Sequence, residues 1–196
     1  MFEKKLLILL ILFFSITTKL FSIEPDVFVQ STVNRASKLL SENISKNQKI
    51  EKLKLIAKET VDIRGIGFYT LGSKRKNLDD KEKIQYIKLF EKYFLISFSS
   101  RLAEYTNPEI EVTNKEKLSE NYTIVNSTLK ATSERPEIKI DWRIYTKDPE
   151  NPLIRDLIIE GLSLARTQKE EFASILNSNN GDIKALFKVL EEFSNK

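Results

Sequence analysis

The chain contains no cysteine and no histidine. Without them no thiolate nucleophile, Cys/His zinc site, Ser-His-Asp triad or imidazole base can be assembled. The missing cysteine also removes any disulfide that would report a redox compartment, and any residue to carry a lipoprotein anchor. Charge is nearly balanced, 32 basic against 28 acidic residues for a net of +4. Half of that excess lies in residues 1–22, where Lys4, Lys5 and Lys19 face Glu3. What remains is too close to neutral to argue for nucleic-acid binding.

With 196 residues and 41% hydrophobic content, one domain with a real core is expected. Lys4 and Lys5 precede an apolar run from Leu6 to Ile16, long enough for a signal-peptide core and short for a bilayer span. We therefore expect a signal peptide over residues 1–22, cut after Ser22, and a single exported domain over 23–196. An uncleaved anchor is the alternative. No internal repeat or low-complexity tract interrupts the domain.

Pro25 and Asp26 suit the first turn of a helix, and Val29, Val33, Ala36 and Leu40 follow on one face. A second helix repeats the pattern with Ile50, Leu53, Ala57 and Val61, backed by Glu51, Lys52, Lys54 and Lys58. Residues 62–72 are apolar and glycine-containing. Gly65-Ile66-Gly67 is not a phosphate loop, because no strand, third glycine or Lys-Ser/Thr completes it. The basic run Lys74, Arg75 and Lys76 reads as a solvated loop or as a contact for anionic headgroups or an acidic partner. Asp79 and Asp80 then start a long helix expected to reach about Tyr105, its stripe formed by Ile84, Ile87, Phe90, Phe94, Phe98 and Leu102.

Beyond Asn107-Pro108 the pattern turns to strands. Residues 109–113, 122–131, 136–146 and 153–162 form four alternating segments joined by polar connections, which favours an antiparallel meander. Ile138, Ile140, Trp142 and Ile144 share one face against Lys139, Asp141 and Arg143. In the last strand Leu157 and Ile159 oppose Asp156 and Glu160. The fold class is α+β: helices on the apolar face of a curved four-stranded antiparallel sheet. A final helix runs from Asp182 to Phe193.

The chain's end carries Asp156, Ile158-Ile159, Glu160-Gly161-Leu162-Ser163-Leu164, Phe172 and Gly181-Asp182. This order resembles the MlaC family, also called toluene-tolerance auxiliary proteins. Asp62, Leu71 and Gly72 match the same pattern upstream. The match departs where the family usually has Trp and this chain has Pro152 and Leu153, and where Gln168 and Lys169 replace an aromatic-Arg pair. A family Trp is also missing after Gly72, where Ser73 stands.

The resemblance implies a periplasmic phospholipid-binding protein, the soluble component of an ABC-type lipid-trafficking system that maintains outer-membrane lipid asymmetry. Its implied partners are an outer-membrane lipoprotein complex, an inner-membrane ABC transporter complex and, transiently, the membrane surface. It implies no cofactor, metal or catalysis, and lipid tails held between helices and sheet. The residues expected to line that space are Phe90, Phe94, Phe98, Ile138, Ile140, Trp142, Leu157 and Ile159. Each is also an acceptable core residue, and Trp142 could instead stand at the mouth with its indole N–H toward water or headgroup.

Two further classes stay open at this level: an enzyme using Asp or Glu alone, and an adaptor without ligand. Asp156 and Glu160 would lie roughly 13 Å apart along a strand, too far for paired glycosidase carboxylates. A hopanoid or another apolar lipid is an alternative cargo.

Overall fold

The computed structural model describes residues 22–195, so all but the last residue of the expected signal peptide lies outside the described chain. Helix α1 (Pro25–Ser41) opens with Pro at its first turn and Asp26 beside the positive end of its dipole. Its buried Val29, Val33 and Leu40 confirm the expected stripe. Helix α2 (Lys46–Thr60) starts on a reciprocal capping box between Ser45 and Gln48.

Helix α3 (Ile63–Thr70) is capped by Asp62, whose Oδ1 accepts from the Gly65 N–H at 2.7 Å. A 3-10 turn over Gly72–Asn77 follows and carries the three basic residues. Helix α4 (Asp80–Leu102) begins on a second capping box, Asp79 with Glu82. It ends three residues before the expected Tyr105, because the chain turns at Ala103 toward Asn107, which adopts φ 46° ahead of Pro108. Tyr86 and Phe90 bury its central face completely.

The sheet is a meander of five antiparallel strands, β1 (Ile110–Ser119), β2 (Tyr122–Leu129), β3 (Ile138–Tyr145), β4 (Leu153–Ile159) and β5 (Leu162–Ser163). The four-strand expectation fails at the end of the chain. Glu160 and Gly161 both take positive φ, 49° and 81°, the signature of a tight two-residue hairpin turn, and Leu162 folds back to pair with Ile159. Strand β1 is also longer than the expected segment 109–113. Its second half, Asn114 to Ser119, is exposed and polar except for Leu118, and ladder bonds to β2 hold it rather than burial.

One face of β2 and β3 is buried in alternation, with Val125, Ser127 and Leu129 opposite Trp142, Ile140 and the half-buried Ile138. Strand β4 breaks the period. Arg143 pairs with Asp156 but Ile144 pairs with Ile154, so Arg155 is the extra residue of a β-bulge. That one-residue slip puts Ile154 on the inner face with Leu157, and sends Arg155 outward to Asp62 at 2.6 Å. Helices α5 (Leu164–Ser178) and α6 (Ile183–Ser194) close the structure, capped by Ser163 and Asp182. Ile183, Leu186 and Leu190 of α6 are buried in the main core.

Candidate functional site

Between the helices and the inner face of the sheet lie two cavities that share a wall. The first, about 200 Å3, is bounded by Phe90, Tyr93, Phe94 and Phe98 of α4, Ile154 and Leu157 of β4, and the start of α5. The second, about 140 Å3, runs under α1 and α2 toward β3, against Ala36, Ala57, Ile140, Trp142 and Ile159. Phe98 and Leu157 line both, so that pair forms the wall between the two arms.

Phe94 and Phe98 stack nearly parallel, ring centres 5.3 Å apart and planes 11° apart. Around Phe98 in the second arm α1 and α2 present Ala36, Ala57 and Thr60 among the larger Val33, Leu40, Leu53 and Ile56. The alanines are positions where a larger aliphatic would fill part of that space.

Of the residues singled out from sequence, Phe90, Phe94, Phe98 and Leu157 border the first arm, while Ile140, Trp142, Leu157 and Ile159 border the second with Phe98. Ile138 borders neither and packs against the core instead. Phe90 is a core anchor as much as a lining residue, with Tyr86, Tyr93, Phe94 and Phe172 around its ring. Trp142 does not stand at a mouth. Its side chain is buried and its indole N–H donates to Ser127 Oγ at 2.8 Å, which in turn donates to the Ile140 carbonyl at 3.0 Å.

The polar rim was not legible in the sequence. Ser97 and Arg101 on α4 and Thr167, Gln168 and Glu171 on α5 complete the first arm. Arg101 and Glu171 are exposed, which marks this side as the opening. Tyr93 donates to Gln168 Oε1 at 2.8 Å, and Gln168 Nε2 donates to Glu171 Oε2 at 2.9 Å, so the α5 rim is held in order. Burial, reinforced by the negative charge of Glu171, raises the Tyr93 hydroxyl above its usual pKa and keeps it a donor. The 3.6-residue spacing of Leu164, Gln168 and Glu171 was present in the sequence, but nothing there said what it faces.

Asp156 is buried, with only 4% of its surface exposed. Its carboxylate accepts from Ser163 Oγ at 2.5 Å and from the Ala165 N–H at 3.0 Å, and Arg143 stands 3.7 Å away. Its oxygens are occupied in fixing the β5–α5 junction. Glu160 lies in the hairpin turn rather than on the strand face, and its Oε1 accepts from the Lys139 N–H at 2.6 Å. The two acids therefore serve turn and cap geometry separately. Among the described residues no group of acids is placed to hold a metal ion, and no helix is long and apolar enough to cross a membrane.

Comparison with known proteins places this architecture. A family model described as MlaC protein matches residues 30–192. A solved structure titled as the phospholipid-binding protein from Ralstonia solanacearum in complex with a phospholipid superposes with a TM-score of 0.74 at 17% identity, covering 88% of this chain and 98% of that one. At that identity the likeness is one of fold. Curated protein sequences give no match. The family model runs from within α1 through the whole meander and into α6, and the chain belongs to the MlaC family.

Proposed function

We propose that this protein is an exported, single-domain phospholipid carrier, working in the periplasm as the soluble component of an ABC-type lipid-trafficking system. In this reading it shuttles lipid between an outer-membrane lipoprotein complex and an inner-membrane ABC transporter complex, touching membrane surfaces only in passing. It performs no catalysis and needs no cofactor.

The observation that carries the reading is a pair of largely apolar cavities that share Phe98 and Leu157 as a wall, the first with a polar, exposed rim. A two-chain phospholipid holds on the order of 30 methylenes, and at about 0.8 kcal/mol each its tails resist water by roughly 24 kcal/mol. A soluble carrier must therefore offer a dry recess, with the headgroup left outside. Two arms divided by one aromatic-aliphatic pair suit two chains. Together they reach the lower end of the range of about 300–1,000 Å3 typical of ligand sites, so full entry of both tails requires the arms to widen. Widening is assigned to the half-buried rings of Phe94 and Phe98, because the preceding turns of α4 are fixed by Tyr86 and Phe90. The matched family and the phospholipid held by a protein of the same fold support the same cargo.

Extraction of the purified protein with organic solvent and mass spectrometry of the extract tests this. Co-purifying phospholipid near one molecule per chain is expected. A hopanoid or other apolar lipid in its place would change the cargo but keep the carrier, and an empty, fully folded protein that takes up no lipid from vesicles would leave only an adaptor role.

A further inference from the structure

The rim of the first arm carries one cation and one anion that are not paired with each other. Among the described residues Arg101 makes no ion pair within 4 Å, and Glu171 is held only by Gln168. The neighbouring charges of α5 are accounted for: Arg166 pairs with Glu170 at 3.1 Å, and Lys169 lies over the Tyr69 ring. Arg101 sits on α4 and Glu171 on α5, and both line the first cavity with Tyr93. A lipid whose tails enter this cavity from its exposed rim leaves its headgroup beside these two charges.

We infer that the rim reads a zwitterionic phospholipid headgroup, Arg101 facing the phosphate and Glu171 facing the ammonium of an ethanolamine-type lipid. The inference rests on the carrier reading above and adds the lipid class. An arginine presents several N–H donors in a fixed fork that suits phosphate oxygens. A carboxylate attracts an ammonium at the same distance at which it repels a headgroup carrying net negative charge. Phosphatidylglycerol has the phosphate for Arg101 but nothing for Glu171, so it is disfavoured by that side chain alone. Because both groups are exposed and screened by solvent, the preference is a modest one.

The test strips the purified full protein of lipid and reloads it from vesicles of equal phosphatidylethanolamine and phosphatidylglycerol. Total bound phosphorus and the ratio of the two lipids are then measured. Wild-type protein should enrich phosphatidylethanolamine. Glu171→Gln should shift the ratio toward phosphatidylglycerol by about two- to five-fold, as expected for one exposed charge contact. Glu171→Lys should shift it further, and Glu171→Asp should retain the wild-type preference. Arg101→Gln should lower the total bound for both lipids and leave their ratio nearly unchanged. An unchanged ratio in Glu171→Gln and Glu171→Lys, with phospholipid still bound, overturns the inference alone. If wild-type protein binds neither lipid, the carrier reading falls with it, and total phosphorus tells the two failures apart.

Discussion

Arg155 reaches out of the β4 bulge to place its Nε 2.6 Å from Asp62 Oδ2, while the other oxygen of that carboxylate caps α3 at the Gly65 N–H. One side chain pair thus ties the helical layer to the sheet. It is reinforced by the Asp62 N–H donating to the Ile154 carbonyl at 2.9 Å and by the Arg155 guanidinium lying 4.6 Å over the Tyr145 ring.

The tie leaves no room at Gly65. A methyl there would stand 2.5 Å from the Arg155 guanidinium carbon and from Asp62 Oδ2. Alanine would ordinarily favour a helix by roughly 0.5–1 kcal/mol. Arg155 is held on two sides and cannot step aside freely, so we expect Gly65→Ala to destabilise by about 1–3 kcal/mol, read as a lower urea midpoint at unchanged slope. A stabilised variant would mean that the pair is loose in solution.

Phe90 and Phe98 should respond differently to truncation. Phe90 is 1% exposed with four aromatic neighbours, and Phe90→Ala should cost about 3–5 kcal/mol. Phe98 faces both arms of the cleft and has fewer atoms to lose contact with. Phe98→Ala should cost only about 1–2 kcal/mol. Equal costs, measured by denaturation of lipid-free protein, would place Phe98 in a solid core.

Alkaline stability should depend on Tyr86. Burial raises its hydroxyl well above the ordinary value of 10.0, against the opposing hydrogen bond with Thr70 at 2.8 Å. The folded state therefore keeps this proton where the unfolded chain releases it. Its contribution is intact below about pH 10 and is lost as pH rises from there toward the folded value, at up to about 1.4 kcal/mol per pH unit. Tyr86→Phe should cost about 1 kcal/mol at neutral pH and flatten the loss above pH 10. An equally steep alkaline loss in the variant would assign it to other groups.

Ser163 joins two structures through one hydroxyl. It accepts from the Arg166 N–H to cap α5 and donates to the buried Asp156. Ser163→Ala should cost about 1–2 kcal/mol, the range of a lost cap, whereas Ser163→Asp would set a second carboxylate against Asp156 and should cost more. Thermal melting of the two variants decides the order.

Much of this fold was legible in residue spacing. The stripes of α1 and α2 and the alternation of β3 follow directly from burial on one side of a regular element, whereas on α4 the buried residues are Tyr86, Phe90, Leu95 and Ser99 and the expected Ile84 is exposed. The exceptions are places where a partner, not the segment itself, fixes the geometry. The polar half of β1 is a strand because β2 supplies its ladder, and Arg155 is a bulge because β3 pairs on either side of it. The Glu160-Gly161 turn ends a run that apolar content alone would continue, which is why the fifth strand was missed. At the site, aromatic residues on α4 were visible, but the space beside them was not. It is bounded jointly by side chains of α1, α2, α4, β3 and β4, which no single segment reveals. Trp142 shows the same limit, since only the register of β2 against β3 brings Ser127 to its indole.

The central claim is that lipid tails occupy the cleft where Phe98 and Leu157 meet. It is tested most directly by Leu157→Trp, which places an indole at the junction of both arms while leaving the rim intact. Native mass spectrometry of purified wild-type protein should show phospholipid bound near one per chain. The folded variant, verified by circular dichroism, should lose most of it. Full phospholipid occupancy in folded Leu157→Trp would contradict the account.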